Sequence, residues 1–87
     1  MASISYDFME KIKTTLNPDE LNVAYFDDYR PLPFVVELIW FDKINYNDEV
    51  INLNDRFTMH FGIYDNFTDL QLTRLIVDVE GHFNELR

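Results

Sequence analysis

The spacing of apolar residues changes period several times along this 87-residue chain, and each change marks an element. Phe8, Ile12 and Leu16 recur every four residues with Met9 beside them, one apolar stripe that predicts a helix over residues 5–16. Ser3 or Ser5 can cap its open amides, and Lys11 and Lys13 lie near its negative end. Asn17-Pro18-Asp19-Glu20 then stops it, although the same four residues also suit one further helical turn. From Leu21 the period falls to two, so that Leu21, Val23 and Tyr25 share a face of a short strand ended by Asp27-Asp28. Tyr29-Arg30-Pro31-Leu32-Pro33 reads as a stiff extended loop, because each proline removes a backbone donor and restricts the residue before it.

Residues 34–41 form the clearest strand. Phe34, Val36, Leu38 and Trp40 point one way and Val35, Glu37, Ile39 and Phe41 the other; apolar residues on both faces predict a central position. The polar stretch 42–49 reads as a loop, and residues 50–53 as a short third strand before a turn at Asn54-Asp55. Residues 56–64 alternate cleanly, with Phe57, Met59, Phe61 and Ile63 inward and Arg56, Thr58, His60 and Tyr64 outward. In the last element Thr68 is a natural N-cap, Gln71 completes a capping box, and Phe67 is placed to staple onto Leu72. Leu72, Leu75, Ile76, Val79, Phe83 and Leu86 mark one helical stripe, within which Gly81 costs about 1 kcal/mol relative to Ala and favours fraying.

These elements predict a single α+β domain over residues 1–87. An antiparallel sheet of three to four strands carries an N-terminal and a C-terminal helix on one face, in the order α-β-β-(β)-β-α. The other sheet face, with Val35, Glu37, Ile39, Phe41, Thr58, His60 and Tyr64, is then left half-apolar and uncovered.

Composition agrees with a folded chain: 47% apolar and 16% aromatic residues exceed what a disordered acidic segment carries, and two Gly and three Pro leave little linker. Without Cys, neither a disulfide framework nor a thiolate metal site can form. Met1-Ala2-Ser3-Ile4-Ser5 lacks the basic and apolar runs of a secretory signal, and the longest apolar block is broken by Glu37; a cytoplasmic protein that does not enter membranes is expected. Asn66-Phe67-Thr68 matches a glycosylation acceptor, which in that setting is a chance match.

Charge changes the picture most. Sixteen Asp and Glu oppose seven Lys and Arg, a net −9, and the acids alternate with apolar segments instead of forming a tail. In a four-stranded meander, Asp19, Glu20, Asp42, Asp48, Glu49, Asp65 and Asp69 gather at one end against Lys43 alone, with Asp27, Asp28 and Asp55 at the other. If residues 50–53 stay out of the sheet, Asp65 and Asp69 move to the far end. A fixed acidic surface repels nucleic acid and anionic membrane and attracts basic proteins.

Little else carries chemistry. His60 and His82 are the only histidines; Asp78 and His82 stand four apart on a helix, the spacing of a surface ion pair. Asp42, Asn45, Asn47 and Glu49 have oxygen-rich spacing but lack the glycine and closing glutamate of a calcium loop. Glu37 is the one acid placed for partial burial. With no nucleophile motif and glycines only at positions 62 and 81, no phosphate loop exists and no enzyme or cofactor is expected. Tyr25, Tyr29 and Tyr46 are candidate aromatic anchors for a protein partner.

In size and charge the chain is similar to the small phage-encoded nucleic-acid mimics that block nucleases, glycosylases or CRISPR effectors, and to the immunity proteins that neutralise nuclease toxins. The expectation is therefore a small acidic inhibitor of a basic nucleic-acid-binding protein or nuclease. Asp42, Asp48 and Glu49 form its expected centre, flanked by Asp19, Glu20, Asp65 and Asp69, with Tyr46 as anchor. The alternative is a structural or assembly subunit, a homodimer joined through Glu37, Ile39, Phe41, His60 and Tyr64.

Overall fold

The computed structural model describes residues 6–25, 34–63 and 68–87. Its elements are α1 (Tyr6–Leu16), β1 (Glu20–Tyr25), β2 (Phe34–Trp40), β3 (Lys43–Tyr46), β4 (Glu49–Asn52), β5 (Phe57–Ile63) and α2 (Asp69–Leu86). The expected α+β fold with a helix at each end and an antiparallel sheet is present.

Helix α1 buries Phe8, Ile12 and Leu16, the stripe read from the sequence. It ends because Asn17 adopts a left-handed conformation (φ 52°) while its amide donates to the Lys13 carbonyl at 2.9 Å. Asn tolerates that region better than most residues, and Pro18 prevents continuation. Another carbonyl of the last turn, that of Leu16, accepts the Trp40 indole N–H at 3.1 Å, so a side chain from the sheet satisfies an open helix end.

The main sheet has the order β1-β2-β5, all antiparallel, with β2 central. Its register aligns Leu21 with Leu38 and Met59, and Val23 with Val36 and Phe61, so these rows share one face. That face meets both helices: Phe34, Val36, Leu38 and Trp40 are fully buried and join Ile12, Leu16, Leu72, Val79 and Phe83 in one core. Trp40 sits edge-on to Phe83 at 5.2 Å and tilted against Phe57 at 5.7 Å, which anchors the C-terminal half of α2 to the end of β2.

The stretch 42–49 is not the loop expected. Lys43–Tyr46 and Glu49–Asn52 pair as a separate two-stranded hairpin, and residues 50–53 add no fourth strand to the main sheet. Asn47 (φ 52°) and Asp48 (φ 63°) form its two-residue loop between paired Tyr46 and Glu49, the signature of a type I′ turn. Ile44 and Ile51 pair across the hairpin and are both buried in the core, and the Leu53 amide closes its base on the Asp42 carbonyl at 2.8 Å.

Helix α2 starts as expected, with Thr68 Oγ1 accepting the Gln71 amide at 3.3 Å; the staple residue Phe67 lies outside the described residues. It runs unbroken through Gly81, and its buried stripe is Leu72, Leu75, Val79 and Phe83, while Leu86 is 40% exposed.

Candidate functional site

Direct pairing of β5 with β2 decides where the acids go. Asp19, Glu20 and Asp42 lie at the end of the sheet where Trp40 meets Phe57, and Asp55 joins them there, not at the opposite end. Asp69 starts α2 beyond the Ile63 end, far from that group, and comes within 3.9 Å of Lys11. Asp27, Asp28 and Asp65 lie outside the described residues.

Asp19 is held in place by two bonds. Its amide donates to the Ile39 carbonyl at 2.9 Å, and its carboxylate accepts the Phe41 amide at 2.8 Å. Asp19 and Asp42 line a shallow hollow of about 130 Å³ together with Asn17, Phe41, Lys43 and Asn45. Lys43 is thus set among the acids. Arg56 stacks over the Phe41 ring at 5.0 Å, next to the same sheet end.

The expected centre does not come together. Asp48 is in the hairpin turn, and the four-residue strand β3 puts it about 14 Å from Asp42, beyond a physiological screening length of about 8 Å. Glu49 is already paired with Arg87 at 3.0 Å. Tyr46 is no free anchor: its ring packs edge-on against Phe83 at 5.3 Å and its hydroxyl donates to the Glu80 carboxylate. Burial, reinforced by that carboxylate, pushes the Tyr46 phenol up to about 12. What remains exposed, without an ion pair among the described residues, is the group Asp19, Glu20, Asp42 and Asp55 at the sheet end.

The second candidate surface is the sheet face turned away from both helices. Register places Glu20, Ile39 and Thr58 in one row, Asn22, Glu37 and His60 in the next, and Ala24, Val35 and Gly62 in a third. In the middle row the Asn22 amide donates to Glu37 Oε1 at 3.0 Å and His60 Nε2 lies 2.8 Å from Glu37 Oε2. An ionised carboxylate only accepts, so the His60 proton lies on Nε2. The Asn22 bond first and the His60 bond second hold Glu37 below its usual carboxylate range. Of the expected face, Glu37, Ile39 and His60 are in place, whereas Tyr64 lies outside the described residues. Ile39 is buried yet outside the main core cluster.

Asn22 was missed by sequence reading. Alternation puts it outward on β1, but only the register between β1 and β2 reveals that it meets Glu37. His82 also departs from expectation: its Nδ1 lies 3.0 Å from the Asp78 backbone carbonyl, not its carboxylate, and its ring leans on Phe57. Among the described residues no three His, Asp or Glu side chains converge to hold a metal ion, and no helix is long and apolar enough to cross a membrane. Comparison with protein families, curated proteins and solved structures finds no match.

Proposed function

We propose that this chain is a small, non-catalytic, acidic binding protein that inhibits a basic nucleic-acid-binding protein or nuclease in the cytoplasm by occupying its charged groove. The reading puts it with the phage-type nucleic-acid mimics, CRISPR inhibitors among them, or with toxin-immunity proteins. The observation that carries it is the distribution of charge. The described strands and turns between the helices carry Asp19, Glu20, Glu37, Asp42, Asp48, Glu49 and Asp55 but, of Lys and Arg, just Lys43 and Arg56, with Arg87 beyond α2 meeting Glu49. Arg56 is engaged on Phe41.

Crowding like charge on a rigid frame costs folding stability and gains long-range attraction for a cationic groove. Steering of this kind raises the association rate and fades with salt, after which close contacts set residence time. The exposed sheet-end acids Asp19, Glu20 and Asp42 fit the steering role best.

The test is capture of nucleic-acid-binding proteins on the immobilised chain, with elution by salt and competition by duplex DNA or RNA. An Asp19→Asn, Glu20→Gln, Asp42→Asn variant runs in parallel. A basic nucleic-acid enzyme released by salt and by competitor, and missed by the variant, supports mimicry. Capture indifferent to salt, competitor and substitution overturns it.

A second reading keeps one specific observation. Both outer edges of the sheet, on β1 and β5, are unpaired among the described residues, and the face bearing Ile39 is turned away from the core that both helices join. Assembly of copies through these surfaces makes the chain a structural subunit. A dimer abolished by Ile39→Lys in sedimentation supports that reading.

A further inference from the structure

The sheet face turned away from the helices holds a shaped feature as well as a surface. Its third row consists of the small residues Ala24, Val35 and Gly62, directly beside the Asn22-Glu37-His60 row. The difference in side-chain length leaves a hollow of about 290 Å³, lined by Asn22, Val23, Ala24, Val35, Glu37 and His60. Glu37 forms one wall, with its side chain 34% exposed and each carboxylate oxygen held by a neighbour from a different strand. Each oxygen keeps a further acceptor site.

We propose that this hollow receives an arginine side chain from a basic partner protein, its guanidinium meeting the Glu37 carboxylate and its flat face lying on Val35 and Ala24. The site rests on the reading that the partner is basic, and names the chemical group it presents. A planar guanidinium suits a flat apolar floor with an acceptor on one wall, because its faces are weakly hydrated and its edge carries the donors. The bonds from Asn22 and His60 fix the acceptor in advance, so little side-chain freedom is lost on binding. The hydrogen bonds that hold Glu37 ionised act in the same direction.

A second copy is a poorer occupant. Three strands of six or seven residues offer a narrow footprint for a second copy. Each copy also carries −9. Nucleic acid is repelled by the same charge. The charged groups on this face are Glu37, Glu20 one row away, His60, and Arg56 stacked on Phe41 beyond Thr58.

The experiment is amide chemical-shift titration of the whole chain with acetyl-Gly-Arg-Gly-amide, and with its citrulline twin, which keeps the shape and loses the charge. The expected result is a saturable shift at residues 22, 24, 35, 37 and 60 with the arginine peptide and none with citrulline. Glu37→Gln and Ala24→Leu, which respectively remove the charge and fill the hollow, each weaken the fitted affinity at least fivefold. Both variants are checked for an unchanged fold by their remaining amide shifts. Shifts centred on Asp19 and Asp42, equal affinity in the variants, or no response overturns the site. The acidic-inhibitor reading stands or falls separately, on whether the sheet-end triple variant loses salt-sensitive capture.

Discussion

Tyr46 on the hairpin donates its hydroxyl proton to Glu80, 34 positions further along the chain on α2. With Arg87 meeting Glu49 at 3.0 Å, this fastens both strands of the hairpin to the C-terminal half of α2. Tyr46→Phe keeps the ring on Phe83 and leaves the half-buried Glu80 without its donor. Urea unfolding should show a loss of about 1–3 kcal/mol.

The same contact sets an alkaline limit. The folded Tyr46 titrates near 12, above its ordinary value of 10.0, so its contribution is complete below about pH 10 and is lost as pH rises through 12. Phenolate absorbance should therefore contain a late transition that Tyr46→Phe removes.

The turn at Asn47-Asp48 offers a stabilising change. Asp48 holds a positive φ that a side chain disfavours, whereas glycine at the second turn position suits type I′. Asp48→Gly should raise stability by about 0.5–1 kcal/mol in thermal or urea unfolding. Because Asp48 is remote from Asp42, capture of a basic partner should be almost unaffected.

Gly81 offers another. A methyl group there meets nothing within 4 Å, and its φ is not positive. Gly81→Ala should stabilise by about 1 kcal/mol. No gain in melting temperature would mean that the helix is already frayed at that point.

Acid should act through Glu37. Its folded value lies below the ordinary value of 4.5, so its contribution is present above that pH and is lost as pH falls through the folded value. Between pH 6 and pH 3, Glu37→Gln should lose less melting temperature than the parent protein. Identical acid limbs in calorimetry would contradict the hydrogen bonds assigned to Glu37.

Elements set by local spacing were legible in the sequence. The four-residue stripe of α1, the two-sided apolar run of β2, the alternation of β5 and the Thr68 cap need only neighbours in the chain, and each element lies within a residue or two of its expected place. The hairpin was not, because Lys43-Ile44-Asn45-Tyr46 buries a single isoleucine and its pattern is too short to show a period. The Asn-Asp pair at 47–48 was the readable signal, weaker than Asn-Gly but of the same physical origin. Placing residues 50–53 in the sheet gave Asp55 the wrong end, whereas Asp69 lies where the alternative without that strand puts it. Strand order depends on distant contacts that no local pattern records. The Asn22-Glu37-His60 row depends on register across three strands and was likewise hidden, although Glu37 and His60 were each placed on the correct face.

The two outer edges of the sheet carry neither lysine nor proline, the usual devices against unwanted strand pairing. That leaves mutual repulsion between copies as the main safeguard, and it is switchable. Near the isoelectric point of about 4.3 the repulsion vanishes while β1 and β5 still have outer edges with no strand partner among the described residues. Acidification should then turn a dispersed protein into a sheet-rich precipitate, so the acid load also acts as the guard of its edges.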